Sequence, residues 1–220
     1  MTGVQTCALP ISVHRNPHFL ALNKPRGVPT HGAGSLEQAV RRDLADVLPP
    51  SLSFTPGPLH RLDAGTTGLL LFSASLEGAH EVTAAFREKR AEKTYLAVLD
   101  GILAADAAWK DVLARDGKEA ETAVRPLAVA DGLTLALCLP VTGRYHQIRL
   151  QGELHGHPLC GDRKHGGSTR LPWYLLHCAS IRFRPPLLGV ASLSAPLPSE
   201  SARIIERLFG RSVLRRLPLL

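Results

Sequence analysis

The sequence predicts one α/β domain of the α+β kind, with a mixed, mainly antiparallel sheet flanked by helices. Two observations carry that prediction. Short apolar runs bounded by Gly, Pro and Asn recur along the chain, and several follow one another without an intervening helix, as antiparallel strands do. Asp131-Gly132 also stands between two β-rich runs, a strong local hairpin signal. The 220 residues suit one domain with a sizeable core. No repeat or long linker divides them.

The elements follow in order. Residues 19–22 form a strand, the first in the chain, which stops at the turn Asn23-Lys24-Pro25. A loop rich in Gly and Pro covers 26–34. Ser35-Leu36-Glu37-Gln38 has the form of a capping box. Leu36, Val40, Leu44, Val47 and Leu48 continue at helical spacing, so a helix is expected to about Leu48, stopped by Pro49 and Pro50. Residues 69–73 read as a strand. Residues 76–90 read as a helix with Ala79, Val82 or Thr83, and Phe86 on one face. The imperfect alternation of 94–99 fits a strand buried on both faces. Strands at 122–130 and 133–141 flank the Asp-Gly turn, and 144–154 can be helical. A loop of Gly, His and Pro spans 156–167. A strand near 175–183 is ended by Pro185 and Pro186. Ser199 is expected to cap a last helix with Ile204, Ile205, Leu208 and Phe209 inward.

Composition narrows the partners. Apolar content of 45% and charged content of 20% are ordinary globular usage and argue against disorder. No apolar run approaches the roughly 18 residues of a membrane helix, so no membrane partner is expected. A net charge of +7 favours a polyanion such as nucleic acid. Cys7, Cys138, Cys160 and Cys178 form no CxxC pair, which argues against a zinc knuckle or redox dithiol. They read as reduced cysteines of a cytoplasmic protein. The opening MTGVQTCALPI lacks the basic start and continuous apolar stretch of a signal peptide. Residues 1–11 are expected to be a non-native tail, and 12–220 the domain.

Four stretches carry candidate chemistry. His60-Arg61-Leu62-Asp63 lies between Pro56-Gly57-Pro58 and Gly65-Thr66-Thr67-Gly68, in a loop held at the edge of an apolar strand. Loops on rigid scaffolds often carry catalytic groups. The plainer reading makes Asp63 a turn former that accepts from the Thr66 and Thr67 backbone. The second stretch runs from Thr142-Gly143-Arg144 through Tyr145-His146-Gln147-Ile148-Arg149-Leu150. His146 and Arg149 would share a helical face, and an arginine here can pair with Asp63. A solvated basic face is the alternative. The third, His155-Gly156-His157-Pro158-Leu159-Cys160-Gly161-Asp162 with His165, offers metal-ligand types at no zinc spacing and reads better as a folded loop. No metal is expected. The fourth, Glu92-Lys93-Thr94-Tyr95, places a tyrosine in a strand, where core is the usual reading.

Together these stretches resemble the RluA-type RNA pseudouridine synthase family. HRLDAGTTGLLL is similar to that family's signature loop, and Asn23-Lys24-Pro25 to its early Asn-Lys-Pro. Lys93-Thr94-Tyr95-Leu96-Ala97, Lys118-Glu119-Ala120-Glu121-Thr122, TGRYHQIRL, GHPLCGDRKHGG and LHCASIRFRPP resemble further family segments in the same order, so the likeness spans about 19–186. Three positions depart from the pattern: Tyr145 stands where Thr is common, Gln151 where His is, and His165 where Tyr is. These departures are expected to touch RNA-facing loops.

The resemblance implies the pseudouridine synthase fold and a cofactor-independent isomerisation of uridines in ribosomal or transfer RNA. Asp63 would be the catalytic nucleophile, and its carboxylate could attack or could take a proton as a glycal-like intermediate forms; Arg149 would be the arginine that orients that carboxylate, and Tyr95 the tyrosine that stacks on the target base and can reach the region where a proton leaves C5. Arg61 would help take the nucleotide out of its helix. Leu150 would line the uracil pocket, while His60 shapes the loop and Arg144, His146 and Gln147 complete the substrate contacts. Too few residues precede the first strand for the N-terminal S4-type RNA-binding domain of many members, so Arg87, Lys89, Arg90, Lys93, Arg163, Lys164, Arg170, Arg182 and Arg184 are the candidate phosphate contacts. A monomer is expected. Three other readings stand beside this one. They are an RNA-binding module without turnover, a glycosidase-like hydrolase pairing Asp63 with Glu92 or Glu153, and a metal-dependent hydrolase on the His155–His165 loop.

Overall fold

The computed structural model describes residues 12–45, 54–114, 117–215 and 217. The expected tail at 1–11, and the end of the first helix at Val47, Leu48 and the two prolines, lie outside the described residues. The chain opens with β1 (Ser12–Arg15), β2 (Phe19–Lys24), α1 (Leu36–Ala45), β3 (Thr67–Ser73) and α2 (Leu76–Arg87). The middle holds β4 (Ala91–Asp100), β5 (Ala107–Leu113), β6 (Lys118–Ala130), β7 (Leu133–Pro140) and α3 (Gln147–Leu154). After a 3-10 turn at Arg163–His165 come β8 (Leu176–Leu187), β9 (Val190–Ser194), α4 (Ser199–Phe209) and α5 (Arg211–Leu214).

The strands form one sheet in the order β1-β2-β3-β8-β4-β7-β6-β5, with β9 on β8. The chain neighbours that pair (β1–β2, β2–β3, β5–β6, β6–β7 and β8–β9) do so antiparallel, as the sequence pattern predicts, and the parallel contact is the short β3–β8 pairing of Thr67 with His177 and Gly68 with Cys178. That contact explains Gly68. Its φ is +106°, and a Cβ there would lie 2.2 Å from the Cys178 carbonyl oxygen, so no side chain fits. The core occupies both sheet faces. Along β4, Tyr95, Ala97 and Leu99 join one apolar cluster while Leu96 and Val98 join the other. This is the two-sided burial that the poor alternation of 94–99 predicts.

Several boundaries differ from expectation. The strands β1, β5 and β9 were not anticipated. β5 alternates Trp109 and Leu113, both buried, with exposed Ala108, Lys110 and Val112, and its charges masked the period. α2 ends at Arg87 because Lys89 turns left-handed at φ +57°. α3 starts at Gln147, three residues late, because His146 is itself left-handed at φ +52°. β8 runs through Pro185 and Pro186. Both sit at the break in pairing between Arg182 and Leu187, where a missing N–H leaves no gap in the ladder. Ser199 begins α4 without capping it, and Pro198 holds the N-cap position. Ile205 is fully buried, with Ile204, Leu208 and Phe209 partly buried around it.

Candidate active site

The loop before β3 is pinned at each residue around Asp63. The His60 Nε2 accepts from the Leu71 N–H at 3.2 Å. Leu62 exchanges two hydrogen bonds with the buried Thr30 hydroxyl, at 2.8 and 3.2 Å. The Ala64 carbonyl accepts from the Gly27 N–H at 2.8 Å and from the Lys24 Nζ at 3.0 Å. Lys24 is fully buried and also donates to the carbonyls of Pro25 and Val28. The turn itself closes through the main chain, with the Thr66 N–H donating to the Asp63 carbonyl at 3.0 Å. The Asp63 carboxylate is therefore not consumed as a turn former. It faces a cavity of about 860 Å³, the size of a small-ligand site.

Arg149, in the first turn of α3, meets that carboxylate. Its Nη1 donates to Asp63 Oδ2 at 3.2 Å. Its other donors go to the buried Asp162, from Nε at 2.6 Å and Nη2 at 2.9 Å. The fork is thus clamped on Asp162 and offers its remaining arm to Asp63. The guanidinium also lies over the Tyr174 ring, 4.5 Å from its centroid. Burial is the largest single influence and opposes the Arg149 charge, but the hydrogen bonds to Asp162 and Asp63 and the charges of Asp162 and Tyr174 together outweigh it, and its pKa is raised.

His146 stands beside this pair, with Nε2 3.6 Å from Asp63 Oδ2. Burial lowers its pKa to about 4 against the opposing pull of Asp63, so the ring is neutral at pH 7. Tyr145 stacks on it at 3.7 Å, and Arg61 lies over the Tyr145 ring at 5.4 Å. On the cavity wall from β4, Tyr95 is buried. Burial and then its neighbour Cys178 push its pKa well above the ordinary value, so the phenol stays protonated and can donate. Burial lowers the His60 pKa well below its ordinary value, and burial takes Lys24 down to about 8.

Of the residues singled out in the sequence, His60, Arg61, Asp63, Tyr95, Arg144, His146, Gln147 and Arg149 line this one cavity. Leu150 does not, and Ile148 does. One residue step along a helix turns about 100°, and the cavity lies on the Ile148 side of Arg149. Gln147 lies in the wall, but its amide is fully engaged within the protein. Its Oε1 accepts from the Thr142 hydroxyl and the Arg144 N–H, and its Nε2 donates to the Glu121 carbonyl and Thr122 Oγ1. It ties the hairpin end to the start of α3. Gln151, expected near RNA, is fully buried in the same network through Thr122, Trp109 and Asp111. The His-rich loop scatters its ligand types. His155 stacks on Trp109, His157 meets the Asp100 carbonyl, and Asp162 holds Arg149. Among the described residues no group of three His, Cys, Asp or Glu is placed to hold a metal ion.

Sequence reasoning missed Asp162, Tyr145 and His165 as site residues. Gly161-Asp162 stands in the His-rich loop of the sequence, but nothing local in that loop signals that its carboxylate reaches Arg149.

Comparison with known proteins bears on this arrangement. The family profile described as RNA pseudouridylate synthase matches residues 18–153. Ribosomal large subunit pseudouridine synthase C of Salmonella typhi is 31% identical over 228 residues, covering 92% of this chain and 71% of that protein. Its counterpart in Escherichia coli K12 is 30% identical, covering 90% and 70%. Among solved structures, human RNA pseudouridylate synthase domain containing 4 superposes with a TM-score of 0.73 at 23% identity, over 90% of this chain and 92% of that one. The fold is therefore that of the pseudouridine synthases, and the chain belongs to the RluA-type RNA pseudouridylate synthase family as an RNA-modifying isomerase.

Proposed function

We propose that the chain isomerises uridines of ribosomal RNA with Asp63 as nucleophile, on a target nucleotide flipped into the cavity. The observation that carries this reading is the Asp63 carboxylate, held by a pinned loop and by Arg149 yet open to the cavity that Tyr95 also lines. Attack by Asp63 on the ribose C1′ releases the uracil with the bonding pair on N1. The base turns and its C5 takes C1′ back, releasing the carboxylate. A proton then leaves C5 and one joins N1. Tyr95 stacks on the turning base and donates from its protonated hydroxyl. A base inside a duplex is out of reach of Asp63, so the nucleotide must be extruded. Arg61, exposed at the rim over Tyr145, is suited to take its place in the stack. Arg87, Lys89, Lys93 and Arg144 also line the cavity and provide cations for the flanking phosphates. Ribosomal RNA is preferred over transfer RNA because the relatives are named for the large ribosomal subunit.

The test expresses wild-type protein and Asp63→Asn in a host lacking its own relatives and maps pseudouridines at single-nucleotide resolution. A site in large-subunit RNA with wild type alone is the expected result. Asp63→Asn should keep RNA affinity within about tenfold, roughly 1.4 kcal/mol. Turnover by Asp63→Asn would end the nucleophile assignment, and a site confined to transfer RNA would end the ribosomal one.

A further inference from the structure

The cavity has a second aromatic wall. Asp63 and Tyr95 account for the sugar and the base of the target nucleotide, and Tyr145 lines the same cavity without a part in that chemistry. The volume of about 860 Å³ lies near the top of the roughly 300–1,000 Å³ range of single small-ligand sites, which leaves room beyond the target nucleotide.

Tyr145 is the outer layer of a built stack. Its ring lies 3.7 Å from that of His146, with 15° between the planes. His146 is braced in turn. Its Nδ1 lies 2.9 Å from His165 Nε2, the two imidazoles meet edge to face at 5.1 Å, and His165 Nδ1 lies 3.3 Å from Glu153 Oε2 on α3. The side chains of His146 and His165 are each 8% exposed. Burial keeps His146 neutral at pH 7, so the Tyr145 ring rests on an uncharged plane. The turn that carries Tyr145 is closed by the Gln147 Oε1, which accepts from the Arg144 N–H at 2.9 Å and from the Thr142 hydroxyl at 2.7 Å. The ring is therefore held in place before RNA arrives.

His146 fills one face of Tyr145, which leaves the other to Arg61. That guanidinium is exposed and lies over the ring at 5.4 Å, toward the outer limit of about 6 Å for a cation–π contact, so the contact is given up at small cost. Arg61 is also the side chain suited to enter the RNA stack in place of the target. When it does so, the outer face of Tyr145 is uncovered inside the cavity. That face looks away from His146, the ring that touches Asp63 at 3.6 Å. It is turned from the carboxylate that takes the target sugar, and so toward a nucleotide beside the target. Bases of a single strand stack on aromatic side chains of this kind.

We propose that the outer face of Tyr145 is a subsite for the base of a nucleotide adjoining the target, opened as Arg61 leaves it, and that Tyr145 sets a preference for a purine there. The proposal rests on the roles given above to Asp63 and Arg61. A purine is favoured because its two fused rings cover more of the phenol than one pyrimidine ring does, and stacking strength alone gives such a preference.

The test is single-turnover pseudouridine formation on stem-loop RNAs that carry the mapped uridine, with enzyme in excess but below saturation. Each adjoining nucleotide in turn is adenosine, uridine or an abasic ribose. The quantity read is the adenosine-to-abasic rate ratio of wild type, Tyr145→Phe and Tyr145→Thr, in which effects of the RNA alone cancel between proteins. Stacking of one base on an aromatic ring corresponds to about fivefold or more. Wild type and Tyr145→Phe are expected to favour adenosine by that factor at one adjoining position, with uridine between, and Tyr145→Thr to bring the ratio within about twofold of unity. The same ratio in all three proteins, including a uniform slowing by Tyr145→Thr, would overturn the subsite and leave Tyr145 as scaffold. A ratio near unity in wild type at both positions would overturn it too. Turnover by Asp63→Asn on these RNAs would instead overturn the reading beneath it, and the subsite with it.

Discussion

Arg149 contacts two carboxylates, and the geometry assigns them unequal energies. Asp162 is buried and takes two short charge-assisted bonds, at 2.6 and 2.9 Å. Asp63 is partly open to the cavity and takes one, at 3.2 Å. Replacing Asp162 by Asn removes one acceptor, sets an NH₂ against a guanidinium N–H, and leaves a buried cation short of its main counter-charge. Breaking a buried pair at one end costs about 3–5 kcal/mol, so Asp162→Asn should cost roughly 3 kcal/mol. In a chain of this length that is a fall in Tm of about 6–12 °C. Asp63→Asn keeps a carbonyl acceptor for Nη1 at a partly wet site and should stay within about 1 kcal/mol, or about 4 °C. The assay is thermal and urea unfolding of wild type and both variants at pH 7. Asp162→Asn should also slow single-turnover pseudouridine formation, because an unclamped guanidinium no longer holds Asp63 in place. Equal destabilisation by the two substitutions, or a cost below about 1 kcal/mol for Asp162→Asn, would refute the view that Asp162 carries the clamp.

Two further outcomes follow from buried cations and imidazoles. Lys24→Met takes the Lys24 donor from the Pro25 and Val28 carbonyls, at about 1–3 kcal/mol each before relaxation, and leaves the Ala64 carbonyl with the Gly27 N–H alone. It should therefore unfold earlier than wild type and turn over more slowly, with RNA affinity retained in filter binding. Unchanged turnover would show that the Asp63 loop needs no anchor at Ala64. The second outcome concerns His177, which is buried between the Thr67 hydroxyl and the Ala195 carbonyl, at 2.8 and 3.1 Å, with burial lowering its pKa to about 4. The unfolded chain binds that proton near pH 6.5 and the folded one does not, so this contribution is complete above pH 6.5 and lost as pH falls toward 4, up to about 3 kcal/mol. Urea midpoints should fall between pH 6.5 and 5, before most carboxylates titrate, and His177→Gln should flatten the fall. An equally steep fall in His177→Gln would place the acid sensitivity elsewhere.

How much of this protein can be read from its sequence depends on the range of the interactions involved. Strand runs, the Asp131-Gly132 hairpin and the two-sided burial of β4 are local patterns of turn chemistry and apolar spacing, and they are present in the bare chain. So are the residue types of the site, because the loop of Asp63 and the stretch ending at Arg149 each concentrate unusual polar groups beside breakers. Where one residue's conformation decided an element, the pattern misled. A left-handed His146 delays α3, and prolines at a pairing break leave β8 running. The tertiary structure alone decided partnership. Asp63 and Arg149 are 86 residues apart, and the Asp162 clamp, the Gln147 and Gln151 network and the His146–His165 contact all depend on where β5, β6 and the turn at Arg163–His165 come to rest. Sequence names the groups because chemistry resides in residue type. It cannot say which are spent on scaffolding and which stay open to substrate, because that depends on how many hydrogen bonds each makes once buried.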